Sequence, residues 1–197
     1  MLPFATDFLS AFILLFVIMD PFASMPFLMK ATKGFSKPRQ AQAANKSALI
    51  AAAVMLVFAF GGVTILNLLS IDIPSFQIAG GIVLAILGLQ LVLGFSFASE
   101  KKNDYDTSII VIGTPMITGP GVITTVILFT SSIGLFTTIA AALSALLATW
   151  LVLRLSVSLQ RVFSSQMVEI VSRILGIILV AMAINFIRTA IFAPVAL

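Results

Sequence analysis

Two stretches decide how this chain is read: DPFASMPF, Asp20 to Phe27, and TPMITGPG, Thr114 to Gly121. Each lies in an apolar run and each holds two prolines with four residues between them. Pro21 matches Pro115 and Pro26 matches Pro120 at one offset of 94 positions. A proline in a helix has no N–H to donate and clashes with the carbonyl four residues earlier. Pro21 and Pro26 should therefore release the carbonyls of Val17 and Phe22, and Pro115 and Pro120 those of Val111 and Met116. In hydrocarbon an unpaired carbonyl costs several kcal/mol, so such breaks persist only where they face protein, water or a ligand. The repeated bracket predicts two broken membrane helices that meet near the centre of the protein.

Composition agrees with a membrane setting. Of 197 residues, 60% are hydrophobic and 9% charged, and the mean hydropathy is +1.21. Values so far from those of a soluble domain predict one integral membrane domain over 1–197 in contact with the lipid bilayer. Cysteine and histidine are absent. That removes disulfides, thiolate metal sites, histidine bases and the HExxH protease arrangement, so neither an enzyme nor a resident metal or cofactor is expected. The net charge of +4 is scattered between apolar runs without interleaved aromatics, which argues against nucleic acid. No GxxxxGK[ST] loop occurs, so any driving force comes from a gradient, such as protons or sodium, or from an exchanged solute.

Cutting at charges and turn signals gives six spans of about 20 residues, the length a bilayer core requires: 8–29, 47–70, 74–97, 108–130, 134–156 and 168–191. The polar stretch Thr130 to Gly134 is the turn between the fourth and fifth. Ten of the eleven basic residues fall in the connections on one side, leaving Arg188 on the other. By the positive-inside rule both termini lie outside the cell membrane. The third and sixth spans echo each other as the proline brackets do, pairing Gly81 with Gly176 and Gln90 with Asn185 at an offset of 95. The fold class is thus all-α, six helices as two three-helix repeats, 1–97 and 108–197. Because three spans is an odd number, the second repeat is inverted, an architecture common among secondary transporters.

Asp20-Pro21 and Thr114-Pro115 each read as the cap and first residue of a new half-helix. Such starts favour anions, which places a substrate carboxylate near Phe22-Ala23 and Met116-Ile117. Gly119 and Gly121 allow close approach to the backbone, and Ser24 and Thr118 occupy matching places inside the two brackets. Asp20 is the one acid deep within a span, at a cost of about 2.5–3.5 kcal/mol on insertion scales. The residues leave three roles for it: capping its own half-helix, binding a substrate ammonium, or carrying a proton. Gln77 shares a helical face with Gly81 and can approach the site. Gln90 and Asn185 read first as interhelical hydrogen-bonding groups, and the glycines as packing surfaces.

DPFASMPF, IAGGIVLAILGLQLVLG and TPMITGPGVIT, in this order, resemble the MarC-related family of six-span membrane proteins, also called the neutral amino acid transporter family. The resemblance covers nearly the whole chain and implies transport of a small neutral amino acid such as glycine, alanine, serine or threonine, with the two brackets forming the site. Where many members carry Gly after the first Asp-Pro, this chain has Phe22. An exporter, a channel for other small solutes and a non-transporting structural subunit are the alternatives. The sequence leaves the choice of amino acid, its direction and any homo-oligomer open.

Overall fold

In the computed structural model, the structure describes residues 3–32, 35–94, 117–156 and 165–192. The first apolar run is two helices, α1 (Pro3–Met19) and α2 (Pro21–Ala31), meeting at Asp20. Pro21 cannot donate to Val17, so the α-helical ladder stops there. The Val17 carbonyl is not left released as the proline rule alone suggests: the Asp20 N–H reaches it at 3.2 Å. The residue before a proline is disfavoured in the right-handed helical region, and Asp20 takes the left-handed one, with φ of +33°. Its carbonyl then accepts from the Ser24 N–H at 3.1 Å, opening α2 with Pro21 in the first position. Pro26 does not interrupt α2, which is helical throughout Pro21–Ala31. Only the ladder bond to Phe22 is lost at Pro26, and the turns on either side hold the helix.

Among the described residues five more helices follow, α3 (Lys37–Leu68), α4 (Ile73–Leu93), α5 (Pro120–Ser132), α6 (Leu135–Arg154) and α7 (Ser165–Ile191). Helix α3 begins ten residues before the span expected from 47, with Ser36 extended ahead of it and Pro38 in its first turn. Its 32 residues measure about 48 Å, longer than the ~30 Å bilayer core, so the polar first turns extend past the hydrocarbon. Gly134, at φ of +87°, makes the turn from α5 to α6. Helices within Lys37–Leu68, Ile73–Leu93, Leu135–Arg154 and Gln166–Ile191 are each long and apolar enough to cross a membrane.

Helix α1 packs on α6, α3 on α5 and α6, and α4 on α5 and, along its whole length, on α7. The α4–α7 pair is antiparallel, with Gln77 near Thr189 at one end and Gly94 near Arg173 at the other. Its closeness depends on small residues: a Cβ at Gly81 would lie 2.9 Å from the Ala183 carbonyl oxygen, and one at Gly88 would lie 2.8 Å from that of Gly176. Such approach is the usual basis of helix association in lipid, where burial of apolar surface gives little. One core cluster joins Leu15, Met19, Met25 and Leu28 to Met55, Val126 and Leu153, and a second joins Leu14 and Val17 to Leu84, Leu128, Leu179 and Phe186. Large side chains such as Leu49, Phe60, Ile82, Leu147 and Ile177 point outward, where lipid would cover them.

Candidate functional site

The break sits inside the protein. Asp20 is 5% exposed, and Met19 and Met25 on either side are 1% exposed each. One carboxylate oxygen of Asp20, Oδ2, is sealed from solvent. Ser24, 2% exposed, lies one turn into α2, its N–H already committed to the Asp20 carbonyl. Across from the break, the fully buried Thr149 of α6 donates its hydroxyl to Met19 Sδ at 3.5 Å. Phe22 stands edge-on to Phe16, ring centres 6.5 Å apart, at the end of a stacked column formed with Phe4, Phe8 and Phe12. For Ala23 and Pro26 the structure describes the backbone, within α2.

The second bracket is arranged differently. Thr114, Pro115 and Met116 lie outside the described residues. Ile117 and Thr118 are buried and non-helical, and α5 starts at Pro120, not at Pro115. The physical reason is local: Gly119 precedes a proline, adopts φ −61° and ψ 175°, and caps α5 through its carbonyl, which accepts from Val122 at 3.0 Å and Ile123 at 3.2 Å. Thr124 bonds back to the Pro120 carbonyl at 2.9 Å. Thr125, fully buried, has no hydrogen-bond partner for its hydroxyl among the described residues.

The two brackets nevertheless meet. Ile117 and Val122 belong to the same core cluster as Met19 and Met25. The space beside Gly121 is taken by neighbouring side chains, since a Cβ there would lie 3.2 Å from Ile18 and 2.8 Å from Leu84. On its other side the second bracket opens to an apolar groove of about 590 Å³, walled by Thr118, Gly119 and Pro120 and by Val54, Phe58 and Gly62 of α3. Asp20 is not part of that wall, so the groove and the carboxylate are separate features.

The secondary candidates divide. Gln77 donates to Thr189 at 2.8 Å, and Gly81 and Gly176 are contact points of α4 and α7. Gln90 and Asn185 lie at opposite ends of that pair, Asn185 accepting from Arg188 of its own helix at 3.3 Å. Sequence reasoning missed Thr149: one hydroxyl in an uncharged helix carries no signal until the fold sets it against Met19. Among the described residues no group of three His, Cys, Asp or Glu could hold a metal.

Fold and site together define a polytopic integral membrane protein whose first span is interrupted at a buried aspartate. The chain matches the model of the MarC family of integral membrane proteins over residues 5–194 and belongs to that family. It is similar to a UPF0056 membrane protein of Methanocaldococcus jannaschii, 31% identical over 93% of this chain and 95% of that one. It is also similar to a UPF0056 membrane protein of Aquifex aeolicus, 28% identical over 93% of this chain and 92% of that one. The UPF0056 inner membrane protein YhgN of Escherichia coli is 30% identical, covering 90% of this chain and 92% of its own. No solved structure matches significantly.

Proposed function

We propose that the chain is a secondary transporter of small neutral amino acids, of the glycine, alanine, serine and threonine class, in the cell membrane and not an enzyme. The observation that carries this reading is Asp20: a carboxylate 5% exposed, at a left-handed break between two halves of one span. A position at the start of α2 lets the helix dipole stabilise the anion by ~0.3–1 kcal/mol, up to ~2 in partly buried geometry. That is less than the ~2.5–3.5 kcal/mol insertion cost, so the helix dipole by itself does not account for the residue. A substrate ammonium or a transported proton beside the sealed Oδ2 would lower that cost further.

Alternating access follows from reading 1–97 and 108–197 as inverted repeats that rock about the breaks. The α4–α7 contact supports it. Gly81 matches Gly176 and Gly88 matches Ala183 at the offset of 95, so exchanging the halves turns the Gly81–Ala183 approach into the Gly88–Gly176 approach. A proton or sodium gradient would drive transport, with Asp20 as the coupling group. The test is uptake of labelled glycine, alanine and threonine by proteoliposomes holding the purified protein. Saturable uptake of at least one is the expected result. Uptake that equals empty liposomes for all three ends the proposal, and non-saturating flux would favour a channel.

A further inference from the structure

Far along the bundle from the α3–α4 turn, a small polar pocket of about 110 Å³ opens between the end of α2, the start of α3 and the end of α6. Its polar wall is Thr32, Lys37, Gln40, Arg154 and Ser156, and no described carboxylate lines it. A buried water needs about 10–15 Å³ by this measure, so the pocket has room for several waters or one tetrahedral oxyanion. Neither Lys37 nor Arg154 makes an ion pair among the described residues. The guanidinium of Arg154 is held in place: it lies 5.0 Å from the centre of the Trp150 ring, and Trp150 Nε1 donates to Asn45 Oδ1 of α3 at 2.8 Å.

Two further features point to an anion. Helix α3 begins at the pocket, and Ser36 ahead of it makes no side-chain cap, so the positive end of a 32-residue helix is left without a capping oxygen from that residue. Thr32 is not one of the anion's donors, because it spends its hydroxyl proton on the Leu28 carbonyl at 2.8 Å, and Gln40 Nε2 is engaged with the Thr32 carbonyl at 3.4 Å. Ser156 is 3% exposed, lines the pocket, and makes no side-chain hydrogen bond among the described residues. A buried hydroxyl that lines a pocket with two cations and a helix start has a donor ready, and nothing among the described residues receives it.

We propose that this pocket binds a phosphate-type oxyanion, either the headgroup phosphate of an anionic phospholipid or free inorganic phosphate. Arg154 presents a planar fork suited to two phosphate oxygens, Lys37 adds a point charge and Ser156 donates an O–H. The pocket lies where three spanning segments end, the depth of lipid headgroups, and basic pockets between membrane helices suit such ligands. Leu151 and Leu155 flank Arg154 and are 45% and 51% exposed, which gives acyl chains an apolar surface to follow.

The experiment is a thermal melt of the purified full-length protein in detergent, titrated separately with short-chain phosphatidylglycerol, short-chain phosphatidylcholine and inorganic phosphate. A saturable rise in melting temperature with phosphatidylglycerol is expected, and phosphatidylcholine should give none. A matching rise with phosphate alone would identify the free ion as the ligand, and a rise with the lipid only would identify the headgroup. Lys37→Gln and Ser156→Ala, which leave the Arg154–Trp150 stack intact, should each raise the half-saturating concentration, the former about tenfold or more. Arg39→Gln, a charge change on the same helix outside the pocket wall, should leave it unchanged. Equal shifts with both lipids, no shift with any probe, or Lys37→Gln and Ser156→Ala both titrating like the parent would overturn the proposal.

Discussion

The two proline brackets share a spacing, yet the helices that follow them begin at different prolines, α2 at Pro21 and α5 at Pro120. In the first, the chain turns at Asp20 and runs as helix through Pro26; in the second, α5 begins only at Pro120, the counterpart of Pro26. The residue before each proline accounts for the difference. Met25 precedes Pro26, and methionine is among the good helix formers, whereas Gly119 precedes Pro120 and glycine costs about 1 kcal/mol relative to alanine inside a helix. Where a helix former stands, the helix absorbs one missing hydrogen bond; where glycine stands, the proline becomes the first residue of a new helix. The proline count marks the region of a break, and the preceding residue fixes its position.

The largest expected effect comes from Gly121→Leu, which would drive α5 away from Ile18 and Leu84 and part the two brackets. Overpacking of this kind costs about 1–3 kcal/mol or more, and is read as loss of monodisperse protein or a large drop in melting temperature. Next is Pro26→Ala. It restores the ladder bond to Phe22 and should stabilise by roughly 2 kcal/mol, since the ~3 kcal/mol proline penalty is offset by ~1 kcal/mol from a looser unfolded chain. Pro21→Ala should instead let α1 and α2 run as one helix and abolish uptake in proteoliposomes. If Pro26→Ala is the one that abolishes uptake while Pro21→Ala keeps it, the assignment of the break to Asp20-Pro21 is wrong.

Gly119→Ala is smaller. The backbone there is one any residue adopts, so alanine should stabilise by about 0.4–1 kcal/mol through the unfolded state, measured as a modest rise in melting temperature. The smallest effect is at Asp72, an exposed counterpart of Asp20 that also caps a helix start with a proline in its first turn. Hydrogen bonding with Ser75, first with its side chain and then from its backbone N–H at 3.2 Å to Oδ2, holds the carboxyl below its ordinary range. A lowered folded value means stability that is present at neutral pH and fades as pH falls through that value. Asp72→Ala should therefore lower the melting temperature slightly near neutrality, and the difference from the parent should shrink in acid.

Much of this was legible in the chain. The uncharged runs mark the start of α4 and both ends of α6 to within two residues, while α4 ends at Leu93, four residues short of the expected span, and Asp20-Pro21 marks a helix start that stands in the structure. The start of α3 was hidden because hydropathy registers only what lies in hydrocarbon; Lys37 to Lys46 read as a loop although Pro38 was the available signal. Helix α5 starts later than the first proline of its bracket predicts, because Gly119 ahead of Pro120 is a poor helix former and caps the new helix through its carbonyl. Thr149 and the Lys37–Arg154 pocket are long-range juxtapositions, joining residues more than 100 positions apart, which no local pattern encodes.

The central claim is that the carboxylate in the first break acts in transport. The most direct measurement compares uptake of labelled glycine, alanine and threonine by the parent and by Asp20→Asn in proteoliposomes across a range of pH. Asparagine keeps the shape and the capacity to cap a helix but carries no charge. The account predicts that Asp20→Asn loses uptake or loses its dependence on pH, while folding as the parent does. Uptake at the parental rate with the parental pH profile would contradict it and leave Asp20 as the cap of α2.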